Sequence, residues 1–177
     1  MSASSVPTTR RVLDTSALMT GRPFDGDLFT TDDVLRELRK QDALTPQLEA
    51  FLAVKVRITA PSREALGVIR RQSEGTGDAH RLSPTDIGLL AVASEIGATI
   101  VTDDYSIQNL AVALGLQYEP VLEPGIQQLV RWQYRCTGCG KAYKEWQDPC
   151  SVCGAKLRTT RKLAGKPSIP SEPVDNR

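Results

Sequence analysis

Acidic residues follow apolar runs at several points of the sequence. Asp14 ends the run "RRVLD", and the adjacent Asp103 and Asp104 follow "ATIVT". Glu37 lies in "VLRELRK" and Asp86 in "LSPTDIGLL". Carboxylates that cluster without histidine or thiolate ligands favour hard cations such as Mg²⁺ or Mn²⁺. Such ions can activate water and stabilise the leaving oxygen when a phosphodiester is hydrolysed. We therefore predict a catalytic metal site to which these acids contribute.

Each acid also has an ordinary structural explanation. Ser83 and Asp86 have the spacing of a capping box, in which a serine and an acid close the first turn of a helix. Judged alone, Glu37 is better explained as an exposed helical glutamate. The metal hypothesis therefore depends on the whole set of acids. Hydroxyl groups beside the acids could orient carboxylates or water, or could form helix caps and turns. They belong to Thr15, Ser16 and Thr102.

All four cysteines of the chain lie in two C-x-x-C pairs, each followed by glycine. The pairs are Cys136 with Cys139 and Cys150 with Cys153. Four thiolates in this arrangement predict a closed, tetrahedral and structural Zn²⁺ site. Two disulfides are the alternative, but they are rare in cytosolic proteins. A redox-active pair is the second alternative. We expect the metal to be needed because so short a segment buries too little apolar surface to fold alone.

The acids require a fold that brings separate strand ends together. Short apolar runs alternate with segments of helical period, which predicts a parallel sheet flanked by helices. Helices are predicted over 46–55, 62–75 and 83–97, and strands at 10–14, 56–61, 98–101 and 116–124. The helix over 83–97 has Ser83 as N-cap and Gly97 as its stop. In such sheets ligands bind beyond the carboxyl ends of the strands, where Asp14 and the 103–104 pair lie.

Composition excludes several other chemistries. His80 is the only histidine, so mechanisms that need a pair of histidines are excluded. The sequence has neither a glycine-rich phosphate loop nor a G-x-S-x-G elbow, and we expect no organic cofactor. No apolar run approaches the ~18 residues that span a membrane. The first residues also lack the apolar core of a signal peptide. We therefore expect a cytoplasmic protein with no membrane partner.

Charge is distributed unevenly along the chain. Residues 1–125 contain 12 Lys and Arg against 17 Asp and Glu, whereas residues 126–177 contain 10 against 4. The basic C-terminal part also contains both tryptophans, and this combination suits RNA through phosphate contacts and base stacking. The aromatic residues could instead form the small core of the zinc-binding segment. The candidate RNA-binding residues are Arg135, Lys141, Lys144 and Arg158.

The acidic motifs resemble those of the PIN-domain nucleases in order and spacing. The matching segments are "VLDTSAL", "VLRELRK", "LSPTDIGLLAVA" and "VTDDYSIQN". PIN domains are parallel α/β nucleases with an acidic metal pocket. The resemblance implies that the pocket acids are Asp14, Glu37, Asp86 and Asp104. Asp103 then occupies a variable position, either as an extra ligand or as a bystander.

The nuclease motifs followed by "WQYRCTGCG" and "CSVCG" resemble the ribosome-assembly endonucleases of archaea and eukaryotes, and the archaeal Nob-type family in particular. This resemblance implies Mg²⁺- or Mn²⁺-dependent cleavage of single-stranded precursor rRNA, which matures the 3′ end of small-subunit rRNA on a pre-ribosomal particle. The implied domains are a PIN-like nuclease over 10–122, a linker over 123–132 and a zinc ribbon over 133–163. Residues 164–177 are rich in Pro and Ser and are expected to form a disordered tail.

Two other functions fit parts of the sequence. A PIN toxin or general RNA-decay nuclease would have the same acidic pocket, but compact PIN toxins typically lack a ribbon. A non-catalytic RNA-binding assembly factor would keep the ribbon and could lose the acids. Because all four acids are present, a nuclease is the better hypothesis.

Overall fold

Five short parallel strands form the first sheet of the computed structural model, which describes residues 8–77, 79–126 and 129–163. The strands are β1 (Arg10–Leu13), β2 (Asp27–Thr30), β3 (Val56–Ile58), β4 (Thr99–Val101) and β5 (Tyr118–Glu119), in the order β3-β2-β1-β4-β5. Register pairs such as Val12 with Ile100 place the first and fourth strands side by side. The carboxyl ends of β1 and β4 are therefore neighbours.

In the described part of the chain, six helices connect and flank these strands. They are α1 (Thr15–Met19), α2 (Asp32–Lys40), α3 (Pro46–Lys55), α4 (Arg63–Thr76), α5 (Pro84–Ile96) and α6 (Tyr105–Ala113). The α5 helix lies in the core, because nearly all of its residues from Thr85 to Ala93 are buried. Ser83 caps it and Gly97 ends it with a φ of 61°, as the sequence predicts. The α/β architecture with a PIN-like parallel sheet is confirmed.

The predicted strands at 56–61 and 116–124 are too long. Their observed lengths are three residues in β3 and two in β5. Pro120 follows β5 directly and has no N–H with which to continue the ladder. Both edge strands of the sheet are consequently short. After Glu119 the backbone N–H groups bond the Asp103 side chain instead of a neighbouring strand.

A second, antiparallel sheet follows in the order β7-β6-β8. Its strands are β6 (Val130–Cys136), β7 (Ala142–Tyr143) and β8 (Leu157–Leu163). The buried centre of this sheet is small and consists of Tyr134, Cys136, Cys150 and Leu157. This is the predicted zinc ribbon. The tail predicted over 164–177 lies outside the described residues, and no helix in the described ranges is long and apolar enough to cross a membrane.

Candidate metal-binding acidic pocket

A cavity of about 270 Å³ lies beyond the carboxyl ends of β1 and β4. Its lining includes all four acids to which the sequence assigns a metal, namely Asp14, Glu37, Asp86 and Asp104. Asp14 follows β1 and caps α1, whereas Asp104 lies beyond β4 and caps α6. The fold therefore brings together acids that are up to 90 positions apart in the chain.

Asp14 is the most deeply buried acid of the pocket, with 5% of its surface exposed. Its Oδ1 accepts hydrogen bonds from the Ser16 hydroxyl at 2.7 Å and from the Ala17 N–H at 2.9 Å. The Thr102 hydroxyl donates to Oδ2. Burial raises the pKa of Asp14 above its ordinary value, although these hydrogen bonds partly oppose the change. The carboxylate is fixed in orientation and poorly solvated, so a nearby cation would stabilise its charge.

A hydroxyl group orients the Glu37 carboxylate, and a backbone N–H orients that of Asp104. Thr15 donates its hydroxyl to Glu37 Oε2 at 2.9 Å. Asp104 Oδ1 accepts from the Ser106 N–H at 2.6 Å, and the Asp104 N–H donates to Thr102 Oγ1 at 3.0 Å. Thr102 therefore touches the acids that follow both strands. The predicted supporting residues Thr15, Ser16 and Thr102 each contact a pocket acid, while some also form the local turns that were the alternative explanation.

Asp86 serves as a helix cap and as part of the pocket lining. Its Oδ2 accepts from the Ser83 N–H at 2.7 Å, and its own N–H donates to Ser83 Oγ at 3.2 Å, which completes a capping box. Burial raises its pKa, and the charges of Asp104 and Glu37 raise it further. The two explanations of this acid are therefore compatible.

Asp103 points away from the pocket, although it adjoins Asp104. Its carboxylate accepts from the backbone N–H groups of Val121 at 2.7 Å, Leu122 at 3.1 Å and Glu123 at 3.3 Å. Backbone amides therefore stabilise the charge of Asp103, which favours the bystander explanation over that of an extra metal ligand. Asp103 anchors the chain that leads from β5 to the ribbon.

We predict that Asp103→Ala lowers the free energy of unfolding by about 1–3 kcal/mol, because several amides lose a charged acceptor. The affinity of the pocket for Mn²⁺ should change little. Urea unfolding and isothermal titration calorimetry with Mn²⁺ measure the two effects. Asp104→Asn is the matched variant on the pocket side, and a loss of Mn²⁺ affinity as large as in that variant would contradict the anchoring role.

The pocket has the donor chemistry of a hard cation site. Its polar lining consists of four carboxylates, three hydroxyl groups and the amide of Gln41. None of the ion pairs among the described residues involves the four acids. Two of the acids carry raised pKa values, as expected for carboxylates that lack a compensating charge. The residues fit Mg²⁺ or Mn²⁺. The acids are not gathered as tightly as the cysteines, which suits an ion that keeps several waters.

The four cysteines converge on one point at the end of the second sheet. Their sulfur atoms lie within 4.8 Å of one another, and all four are free thiols. The Gly138 N–H donates to Cys136 Sγ at 3.3 Å and the Val152 N–H donates to Cys150 Sγ at 3.4 Å. Gly140 and Gly154 turn the chain with φ values of 75° and 74°. This geometry supports a zinc site and not a disulfide pair.

The candidate RNA-binding residues are exposed on the ribbon. Arg135 of β6 and Arg158 of β8 are register partners, and Lys141 and Lys144 lie immediately before and after β7. Among the described residues no ion pair neutralises these side chains. Their contact with RNA stays a prediction.

Two buried amides of α6 were not predicted from the sequence, and they join this helix to Thr102 and to the start of the second sheet. Gln108 is fully buried and donates from Nε2 to the Thr102 carbonyl at 2.9 Å. Asn109 donates from Nδ2 to the Val130 carbonyl at 2.8 Å, and its Oδ1 accepts from the Val130 N–H at 2.7 Å. The sequence feature that could have revealed them is the adjacent pair Gln108 and Asn109 within the apolar helix "SIQNLAVAL", at positions that the helical period predicts to be buried.

Comparison with known proteins identifies relatives of both parts. A family model described as the PIN domain of ribonuclease matches residues 12–96. The endoribonuclease Nob1 of Pyrococcus abyssi is 34% identical over 149 residues, which cover 83% of this chain and 91% of that protein. Nob1 of Methanothermobacter thermautotrophicus is 32% identical over 156 residues, with 84% and 91% covered. Ribonuclease VapC1 of Thermoplasma acidophilum is 36% identical over 149 residues, with 83% and 76% covered. Alignments of this length extend past the first sheet.

Proposed function

Because this chain belongs to the Nob1 family of PIN-domain endoribonucleases, we propose that it cleaves single-stranded precursor rRNA to mature the 3′ end of small-subunit rRNA. The reaction would require Mg²⁺ or Mn²⁺ and would take place on a pre-ribosomal particle in the cytoplasm. One observation carries the proposal: a pocket of four acids without a cationic partner among the described residues lies in the same chain as a basic zinc ribbon.

The acidic side chains would hold the ion, and their hydrogen-bond partners would hold the acids. When bound, Mg²⁺ or Mn²⁺ supplies a Lewis acid for phosphate oxygen and lowers the pKa of water. Thr102 and Ser16 fix the Asp14 carboxylate, Thr15 fixes Glu37, and the first turns of α5 and α6 fix Asp86 and Asp104. This support keeps the charged oxygens at one place relative to the scissile phosphate.

The chain does not place a histidine in the pocket. Its only histidine, His80, lies against the rings of Tyr134 and Trp146 in the ribbon. The residues that line the acid pocket include hydroxyls but no lysine or cysteine. This lining suits hydrolysis by water better than a covalent protein intermediate.

The test uses a short RNA that spans the 3′ end of mature small-subunit rRNA with unpaired flanks. The RNA is incubated with the full chain and either Mn²⁺ or EDTA, and Asp14→Asn serves as the control. We expect one discrete product that requires the ion and is absent with the variant. Equal cutting at many unrelated sites would contradict the maturation role.

A general RNA nuclease of the toxin type is the second candidate, and the similarity to ribonuclease VapC1 favours it. The similarity to VapC1 covers 83% of this chain and so extends beyond the first sheet. The presence of residues beyond that sheet therefore does not distinguish a maturation nuclease from a toxin-type nuclease. Metal-dependent but non-discrete cleavage in the same assay would support this candidate. Retention of RNA without any cleavage would instead support a non-catalytic assembly factor.

A further inference from the structure

The loop between α4 and α5 lies directly against the zinc ribbon. Gly77 begins this loop with a φ of 80°, and a β-carbon there would lie 2.7 Å from the carbonyl oxygen of Trp132. The backbone of the loop and that of β6 therefore approach so closely that a side chain at this position would force them apart. The Arg81 guanidinium lies 4.1 Å from the centre of the Trp132 ring, which is a close cation–π contact.

Aromatic rings make a second contact between the loop and the ribbon. The His80 ring lies 6.0 Å from that of Tyr134 and 5.8 Å from that of Trp146. Tyr134 and Trp146 also pack edge to face, with their centres 5.2 Å apart. Aromatic pairs at these distances contribute more than their buried area alone. Two neighbouring residues of the loop thus contact three aromatic residues of the ribbon.

The same loop leads straight into an acid of the pocket. Leu82 packs on the core of the first sheet, and Ser83 then forms the capping box with Asp86. The Ser83 N–H donates to Asp86 Oδ2 at 2.7 Å, so a displacement of the loop would move a hydrogen-bond partner of the Asp86 carboxylate. Arg81, which contacts the ribbon, precedes Asp86 of the pocket by five positions.

A second connection reaches the helix that Asp104 caps. Asn109 of α6 binds both backbone groups of Val130 at the start of β6. Gln108 binds the Thr102 carbonyl and accepts from the Ile126 N–H at 3.0 Å. The ribbon is therefore attached to the pocket at two places: through α6, which Asp104 caps, and through the loop before α5, whose first turn contains Asp86.

We propose that Arg81 and Trp132 are positioning residues for cleavage, because their contact fixes the loop that orients the Asp86 carboxylate. The ribbon then has a role in the catalytic step in addition to any binding of RNA. The expected effect on kcat rests on the proposed nuclease function. The expectation that the contact fixes the loop does not depend on that function.

Five full-length, zinc-loaded variants test the contact, and one of them combines Arg81→Met with Trp132→Leu. Arg81→Met and Trp132→Leu remove it from either side, and Arg81→Lys keeps the charge over the ring. Arg63→Met is the matched control, because it removes one exposed arginine from the first turn of α4, at the far end of that helix. The measurements are kcat and KM with a short single-stranded RNA, and amide hydrogen exchange at Ser83 and Asp86.

We expect the two disruptive variants to lower kcat roughly tenfold with KM within about twofold, the range found for residues that orient metal ligands. The double variant should fall no further than either single one, because both remove one contact. Exchange at Ser83 and Asp86 should accelerate, Arg81→Lys should recover most of the rate, and Arg63→Met should behave as the unmodified chain.

Two results would overturn the inference. The first is a rise in KM with unchanged kcat and unchanged exchange, which would mean that the ribbon only binds RNA. The second is equal loss in Arg81→Met and Arg63→Met, which would mean that positive charge alone matters. Zinc content checks that each variant retains its ribbon. If the unmodified chain does not cleave RNA, the proposed function fails, whereas the exchange data still decide whether the contact fixes the loop.

Discussion

Asp86→Asn is expected to lower the cleavage rate by about a hundredfold or more, since loss of groups that only support a metal ligand already costs about 10–100-fold. It should also make the metal-free protein more stable at neutral pH. The amide oxygen of asparagine can still accept from the Ser83 N–H, so the capping box is retained. What is lost is a negative charge that burial, Asp104 and Glu37 all disfavour.

The sign of the stability change follows from proton linkage. Because the pKa of Asp86 is higher in the folded than in the unfolded chain, the folded chain binds more protons between the two pKa values. Its stability therefore falls as the pH rises from the ordinary value of 3.8 through the raised one. The Asp86→Asn variant has no carboxylate at this position and therefore does not lose stability in this way. A bound cation would offset the same loss in the unmodified chain.

Thermal unfolding in EDTA and in Mn²⁺, at a series of pH values, measures these effects together with the cleavage rate. The unmodified chain should gain more stability from Mn²⁺ than the variant does. Asp25→Asn is the matched control, because this exposed aspartate lies outside the acid pocket. Cleavage within threefold of the unmodified rate, or a metal-free variant that melts earlier, would contradict the assignment of Asp86 as an ion ligand.

Cys150→Ser is expected to unfold the second sheet and leave the first one folded. Among the described residues the buried centre of the ribbon consists of four, two of which are cysteines. Structural zinc contributes about 10–16 kcal/mol to the folding of such units, far more than this centre can supply. The large core of the first sheet shares no buried residue with it.

Zinc content and amide hydrogen exchange along β6 and β8 measure the result. Protection should disappear in the ribbon and persist in β1 and β4. Val152→Ala is the matched control, because its side chain is 60% exposed in the same turn and its N–H still donates to Cys150 Sγ. A Cys150→Ser variant that keeps its zinc and its protected strands would show that the metal is not what folds the ribbon.

Local signals made part of this structure predictable. Ser83, Pro84 and Gly97 determine the ends of α5 through residues that are adjacent in sequence. The spacing of the cysteines predicted their convergence, and the apolar runs before Asp14 and Asp104 predicted the edge at which these acids meet. In each case the determining interaction spans a few residues or follows from strand direction alone.

Contacts between distant segments could not be predicted in this way. Asp103 and Asp104 are adjacent and chemically identical, yet one binds amides near residue 121 and the other lines the pocket. Nothing within their own segment distinguishes them. The packing of the loop at Gly77 on Trp132 joins positions 55 residues apart, so it depends on how the two sheets meet.

Because the pocket acids are also helix caps, the binding of Mg²⁺ or Mn²⁺ proposed for the pocket should differ thermodynamically from the binding of zinc to the ribbon. Asp14, Asp86 and Asp104 each accept a backbone N–H in the first turn of a helix, so the fold orders them before any ion arrives. Binding of an ion to the pocket should therefore cost little conformational entropy and bury little apolar surface, so the heat-capacity change of binding should be small. In the ribbon, coordination and folding are one event, with the large negative heat-capacity change that accompanies apolar burial.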